Sequence, residues 1–424
     1  MQSDSPGNSS GAVSIQETVM KNKKQKKWIK PRHWVVRNVG YWTLGLYSRW
    51  KYGIKIEKFK DQGKRPYLVL YNHQTAHDQF FVGMAFPEPV YFVATEDLFS
   101  MGLISKLLRW AVAPIPIKKQ TTDLNAVMTC IRLAREGGTI AIAPEGNRTF
   151  SGETVYMSDS IAPLAKKMKL PIALYRLEGG YGVQPRWSDV VRKGKMRGYV
   201  SKVMEPEEYA DLSNEELFDW IKQGLYVDES VADACFCSGK RAEYLERAMY
   251  VCPFCGLTTF ESHGNEITCN SCNRRVTYGE DKSLKGVGFD FPFPFVKQWY
   301  QHQEATVNAL DVLAYSDKPI YTDKADLFEV IVYKNKKRLD RDVTVSLYGD
   351  KLVLTSKHGQ VQTFPFSHVN AVTILGKNKI NIYHEKRVYQ LKGDKRFNGL
   401  KYVNIFQRYR NITKGDPDSR FLGM

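Results

Sequence analysis

Short unbroken apolar runs punctuate the first two hundred residues. Tyr67-Leu68-Val69-Leu70 and Ile140-Ala141-Ile142-Ala143 are two of them, and Leu170-Pro171-Ile172-Ala173-Leu174-Tyr175 is a third. Runs of this length without polar alternation predict strands covered on both faces, as in an α/β sheet. Between them, Leu124, Val127, Ile131 and Leu133 recur at helical spacing, with Cys130 in the same stripe as a core residue. An acidic helix around Asn214 to Val227 closes this part of the chain. Gly286 to Phe295 is too rich in proline and aromatics for a regular element and is expected to be linker; its aromatics either pack on a neighbouring domain or touch lipid.

From about residue 326 the period changes to two. Strands are predicted at Phe328–Tyr333, Val343–Tyr348 and Lys351–Thr355, the last two joined by a Gly349-Asp350 hairpin turn. Others follow at Gln362–Pro365, Val369–Ile374, Ile380–Tyr383 and Val388–Leu391, and a helix from Arg396 to Arg410 closes the series. This train of strands capped by one helix resembles a pleckstrin-homology-like barrel. The resemblance implies a lipid or protein docking module. Lys334, Lys336, Lys337, Arg338 and Arg341 are then either a headgroup contact or a solvated loop.

Candidate chemistry sits where the first two apolar runs end. The first leads into Tyr71-Asn72-His73-Gln74-Thr75-Ala76-His77-Asp78. A helix beginning at Asn72 would bring His73 and Asp78 together, the carboxylate holding one ring nitrogen and leaving the other to accept a proton. The alternative is a capped helix start with a satisfied histidine. His77 reads as a helix-start residue. No serine or cysteine nucleophile accompanies the pair, which favours direct attack by a substrate hydroxyl. The second run leads into Pro144-Glu145-Gly146-Asn147-Arg148-Thr149. Gly146 permits a backbone geometry that other residues resist, and Arg148 offers a planar fork of donors for a phosphate. In open α/β sheets such loops share a crevice beyond the carboxyl ends of the strands.

These residues resemble the glycerolipid acyltransferases typified by 1-acylglycerol-3-phosphate acyltransferase. Asn72, His73 and Asp78 match the family's Asn-His-x-x-x-x-Asp block, and Pro144, Glu145, Gly146, Arg148 and Thr149 match its Pro-Glu-Gly-x-Arg-Ser/Thr block. Ala113 to Lys119 is similar to the block between them, with Lys119 where arginine is usual. Leu170 to Tyr175 fits the fourth in part, with Leu174 where a second proline often falls; Pro171 and Leu174 read as strand packing. The resemblance implies that His73 deprotonates the hydroxyl of a lysophospholipid, which attacks an acyl thioester, either acyl-CoA or acyl-ACP. Asp78 would orient His73. Glu145, Gly146, Arg148 and Thr149 would form the acceptor site, with Arg148 on its phosphate. Lys119 is either a second contact there or part of a solvated loop with Lys118. No catalytic cofactor is implied. The acceptor is 1-acylglycerol-3-phosphate, or a lysophospholipid with another headgroup, or a lyso-aminolipid. A silent lipid-binding scaffold is the rival from outside the enzymes, and the intact motif residues argue against it.

Charge points the same way. The chain carries 62 Lys+Arg against 45 Asp+Glu, a net +17. Fifteen basic residues fall between Lys21 and Arg65, opposed only by Glu57 and Asp61, and interleaved with Trp28, Trp34, Trp42 and Trp50. Aromatic and apolar groups beside a basic cluster suit an interfacial helix on an anionic leaflet, where each cation contributes on the order of 1 kcal/mol. Nucleic acid is the rival partner for such charge, and the neighbouring lipid motifs make it the less expected one. No run of about 18 apolar residues predicts a spanning helix, and residues 1–20 lack a signal-peptide apolar core. The expected location is the cytoplasmic face of the cell membrane, peripherally bound.

Four of the seven cysteines form two knuckles, Cys252-Pro253-Phe254-Cys255 and Cys269-Asn270-Ser271-Cys272, thirteen residues apart. This spacing predicts a zinc ribbon holding one structural zinc ion, with a disulfide arrangement as the alternative. Cys235 and Cys237 read as loop residues, with a part in metal binding left open. The expected fold class is α/β, a mixed sheet flanked by helices, followed by the ribbon and a C-terminal β-barrel or sandwich capped by a helix. Its segments would be a disordered tail at 1–20, a basic amphipathic membrane-surface segment at 21–65, a catalytic domain at 66–230, the ribbon at 248–280, a linker at 281–325 and the pleckstrin-homology-like domain at 326–412. At 424 residues the chain has room for them, and it shows no internal repeat or nucleotide-binding glycine loop.

Overall fold

The computed structural model describes residues 27–117, 123–154, 156–231, 234–331 and 334–415. The expected tail and the basic residues Lys21 to Lys26 lie outside these, as do Lys118 and Lys119. The N-terminal region begins with α1 (Pro31–Tyr52) and β1 (Ile54–Ile56). It continues through β2 (Leu68–Tyr71), α2 (Asp78–Ala85), β3 (Val90–Thr95), α3 (Leu103–Ala111), β4 (Ile115–Ile117), α4 (Leu124–Arg135) and β5 (Thr139–Ile142). After these come α5 (Ile161–Met168), β6 (Ile172–Glu178), α6 (Gly180–Val183), β7 (Met196–Met204), α7 (Pro206–Tyr209) and α8 (Asn214–Leu225). The seven strands form one mixed sheet in the order β1-β7-β6-β2-β5-β3-β4. β2 lies parallel to both β5 and β6, and only the β6–β7 pair is antiparallel.

The apolar runs become central strands because both faces of the sheet are covered. Leu68, Leu70, Ile140, Ile172 and Leu174 enter one core layer, and Val69, Tyr71, Ala141, Ala173 and Tyr175 the other. Successive residues of a strand point to opposite faces, so a run without polar alternation serves both layers at once. Cys130 is buried in α4, as its stripe predicts.

Two helices break the usual rule for surfaces. On α1, Val35, Val39, Trp42, Leu46 and Trp50 form an exposed stripe at three- and four-residue spacing, with Trp42 71% exposed. On α3, Leu103, Ile104, Leu107 and Trp110 do the same, with Leu103 80% exposed. The Arg32 guanidinium donates to the Trp110 carbonyl at 2.8 Å, tying the start of α1 to the end of α3. No helix among the described residues is long and apolar enough to cross a membrane.

Past residue 230 come two smaller sheets. β8 (Val251–Cys252) pairs with β9 (Gly256–Leu257), and β10 (Phe260–His263), β11 (Glu266–Cys269), β12 (Arg275–Tyr278) and β13 (Leu284–Gly286) form a four-stranded sheet in chain order. α9 (Val296–Ala309) follows. The C-terminal region comprises β14 (Tyr321–Glu329), β15 (Lys337–Leu347), β16 (Lys351–Thr355), β17 (Val361–Pro365), β18 (Val369–Leu375), β19 (Lys379–His384), β20 (Arg387–Gly393) and α10 (Leu400–Thr413). Its strands make one antiparallel sheet, ordered β17-β16-β15-β14-β20-β19-β18, with α10 packed on β18.

Several expected boundaries move. Residues 54–56, placed in the membrane-surface segment, are instead an edge strand of the seven-stranded sheet, paired in parallel with β7. The expected linker at 281–325 contains β13 and the fourteen-residue α9. That helix buries Val296, Trp299, Tyr300, Gln303 and Val307, a helical period whose polar member obscured it. Gln303 is buried because it is satisfied: it accepts from the Tyr250 amide at 2.7 Å and donates to the Ala248 carbonyl at 3.0 Å. The C-terminal sheet starts at Tyr321, before the expected 326, because Thr322, Asp323 and Lys324 interrupt the apolar alternation. Within the strand expected at Phe328–Tyr333, β14 ends at Glu329, and Val332 and Tyr333 lie outside the described residues.

Candidate active site

The two motif loops leave the carboxyl ends of neighbouring parallel strands. β2 and β5 run in register, Leu70 beside Ile142, so the turn at His73 and the turn at Glu145 emerge side by side. The helix expected from Asn72 begins six residues later, at Asp78, with His77 as its N-cap. Residues 72–77 stay non-helical because side chains take their backbone groups. The Asp78 carboxylate, wholly buried, accepts from the Gln74 amide at 2.6 Å, from the Thr75 amide at 2.9 Å and from the Thr75 hydroxyl at 2.6 Å. The Asn72 side chain pins the loop to β6, donating to the Leu177 carbonyl at 2.8 Å and accepting its amide at 2.7 Å.

His73 and Asp78 meet without sharing a helix. His73 Nδ1 lies 2.7 Å from Asp78 Oδ2. The imidazole is 23% exposed, against a sealed carboxylate. Nε2 makes no hydrogen bond among the described residues. With the proton on Nδ1 facing Asp78, Nε2 is the basic nitrogen. Burial holds the imidazole below its ordinary value of 6.5, Asp78 works against that shift, and Arg148 and Arg186 reinforce it. His73 is therefore neutral, and able to take a proton, at neutral pH.

Glu145 is buried and turns back toward His73, accepting its backbone amide at 2.8 Å. Burial raises this carboxyl well above the usual range, opposed by that hydrogen bond. Gly146 adopts φ 67°, and an added Cβ would meet no atom within 4 Å. The need for glycine here is conformational rather than steric. The Thr149 hydroxyl folds the loop, accepting from the Ser151 amide at 3.2 Å and the Gly152 amide at 2.9 Å. The Thr149 amide donates to the His73 carbonyl at 3.3 Å, closing one loop onto the other.

Arg148 has no ion pair among the described residues, and its Nη1 is buried without a partner. Burial lowers its guanidinium pKa. Arg186, which carries no motif signal, is buried behind it and donates to the Arg148 carbonyl at 2.9 Å. Two other residues were not legible as parts of the site. Tyr52, from the end of α1, hydrogen-bonds His77 Nδ1 at 2.9 Å, and Gln74 Oε1 accepts the Tyr181 amide at 3.2 Å. Each is joined to its partner only by the fold.

The four knuckle cysteines converge. Their sulfur atoms all lie within 4.8 Å of one another, with Cys252–Cys272 at 3.9 Å and Cys255–Cys269 at 3.6 Å. Tetrahedral zinc with Zn–S near 2.3 Å has sulfur–sulfur edges of about 3.8 Å, so the cluster fits such an ion. Cys235 and Cys237 are exposed and stand apart from it.

Comparison with known proteins bears on the N-terminal region. Residues 53–174 match the Acyltransferase family model, and the chain is an acyltransferase. A curated relative, the 1-acyl-sn-glycerol-3-phosphate acyltransferase of Bacillus subtilis (strain 168), is 22% identical over 160 residues, 38% of this chain and 77% of that protein. Among solved structures, the 1-acyl-sn-glycerophosphate (LPA) acyltransferase from Thermotoga maritima shares 19% identity over 46% of this chain and 78% of that one, at a TM-score of 0.39.

Proposed function

We propose that the protein transfers a fatty acyl group from acyl-CoA or acyl-ACP to the free hydroxyl of 1-acylglycerol-3-phosphate, making phosphatidic acid. The observation that carries the reading is the His73–Asp78 pair, with Nε2 unengaged beside an arginine that has no carboxylate partner among the described residues. His73 Nε2 takes the proton of the acceptor hydroxyl as its oxygen attacks the thioester carbonyl. Collapse of the tetrahedral intermediate breaks the C–S bond, and the thiol leaves with a proton returned from His73. Asp78 fixes the tautomer and stabilises the imidazolium. Glu145 holds the His73 backbone, Gly146 and Thr149 shape the loop, and Arg148 meets the acceptor phosphate. Lys119 is assigned a supporting contact on its motif position alone.

The same reading places the exposed stripes of α1 and α3 on an anionic membrane surface, at the cytoplasmic face. Amphipathic helices with aromatic and basic neighbours bind in this way. The cysteine cluster holds a structural zinc ion, and the C-terminal sheet with α10 is a pleckstrin-homology-like docking module. The deciding experiment is acyl transfer by purified protein across a panel of lyso-acceptors, with both donor types. Failure to acylate any lysophospholipid sinks the reading. Co-sedimentation with anionic and neutral liposomes tests the surface, and equal binding to both counts against it. Metal analysis of the wild type beside Cys252→Ser tests the ribbon, and a metal-free wild type refutes it.

A further inference from the structure

Arg186 is buried and Arg148 part-buried with its Nη1 sealed from solvent, each feels the other's charge, and neither has a carboxylate partner among the described residues. Buried cations are ordinarily paired, since an unpaired one carries an uncompensated desolvation cost. Arg186 donates through Nη1 to the Arg148 carbonyl at 2.9 Å and through Nη2 to Asn147 Oδ1 at 3.4 Å, and its guanidinium lies 4.2 Å from the centre of the Phe150 ring. It thus grips the backbone that presents Arg148 and adds a charge behind it. Burial and the Arg148 charge lower Arg186 to about 9, still protonated at neutral pH.

The segment carrying Arg186 belongs as much to the appended regions as to the catalytic sheet. Its neighbour Trp187 is fully buried in a core shared with the ribbon and the C-terminal sheet, edge-on to Tyr278 with ring centres 5.7 Å apart. Two residues on, Asp189 is clamped from both regions. Arg247, ahead of the ribbon, bonds its Oδ2 at 2.8 Å, and Lys377, in the turn between β18 and β19, bonds its Oδ1 at 2.6 Å. Lys377 also donates to the Ser188 carbonyl at 2.7 Å. Although burial opposes it, hydrogen bonds from Arg247 and Lys377 hold the Asp189 carboxyl down to about 2.

We propose that Arg186 is the second guanidinium of the acceptor-phosphate subsite, holding Arg148 in place and sharing the anion's charge, and that Lys377 positions it from the C-terminal region through Asp189. This rests on the acyl-transfer reading for the identity of the acceptor, and on geometry alone for the phosphate subsite. No motif contains either residue. The ligand class is a phosphate monoester, for which paired guanidinium forks are suited.

The test uses full-length wild type, Arg186→Gln, Arg186→Lys and Lys377→Met. Each is titrated calorimetrically with sn-glycerol 3-phosphate and assayed for KM and kcat with 1-acylglycerol-3-phosphate. Arg186→Gln should weaken binding and raise KM roughly tenfold with kcat within about threefold, the signature of lost ground-state binding. Arg186→Lys should recover part of both, and Lys377→Met should raise KM about threefold with kcat unchanged, alongside a lowered melting midpoint from the lost Asp189 contact. Binding and KM unchanged in Arg186→Gln overturn the proposal, as does a fall in kcat alone. If Arg186→Gln does not fold, Lys377→Met decides: an unchanged KM and affinity overturn it. A wild type that binds the phosphate through Arg186 but transfers no acyl group fails the functional reading only.

Discussion

The loops after β2 and β5 stand side by side and are wired in opposite ways. In the first, the Asp78 carboxylate takes donors from His73, Gln74 and Thr75. In the second, Arg148 is part-buried with its Nη1 sealed from solvent, and Arg186, from the segment after α6, is buried against it, neither with a counter-ion among the described residues. A saturated network fixes a geometry in advance, and an unsatisfied pair of charges stores affinity for something that arrives. On the proposed reading, the base needs the first property and the anion seat the second, and the two lie on different loops.

The largest expected effect comes from removing the base. His73→Ala should lower kcat/KM by roughly 10²–10⁴-fold, the range for general-base catalysis, with circular dichroism unchanged. Retained turnover would falsify the assignment. Next is the anion seat: Arg148→Met should cost on the order of 10²-fold in kcat/KM, consistent with a lost charge-assisted contact. It should nevertheless leave stability unchanged or raised, because a part-buried cation with no counter-ion among the described residues is removed. Asp78→Asn sharpens the contrast from the other side. Its amide would present donors to donors, and urea unfolding should show a loss of about 2–3 kcal/mol. If Asp78→Asn proved neutral and Arg148→Met destabilising, the two loops would not differ as described.

The smallest effect is in pH. Because His73 is held below its ordinary 6.5, the acid limb of kcat/KM should fall below that value and leave neutral pH flat. The unfolded chain binds the proton more readily, so the His73 contribution is present above the ordinary imidazole range and lost as pH falls through the folded value. A limb centred above 6.5 would show that Asp78 outweighs burial.

Much of the site was legible in the sequence because motif neighbours are close along the chain. His73 and Asp78 are five residues apart, and the strands that carry the two loops announce themselves as apolar runs. Strand positions in the C-terminal sheet were legible for a similar reason, with β16 running over the expected Lys351–Thr355. What was not legible depends on distant partners. The helix start at Asp78 is set by side-chain acceptance of loop amides, which no periodicity records. α9 hid because Gln303 sits on its buried face, satisfied by a strand fifty residues away. Arg186 and Lys377 carry no local signal at all, since each gains meaning only from what lies opposite it.

The Lys377–Asp189 contact has a consequence for how the molecule is made. The partners are separated by 188 residues. At synthesis rates of about 5–20 residues per second, roughly 10–40 s pass between the emergence of one and the other. His73 and Asp78 emerge almost together. The His73 and Asp78 residues are therefore made well before the Lys377 that ties Asp189 to the C-terminal sheet, and that tie closes only once the sheet and α10, which ends at Thr413, have been made.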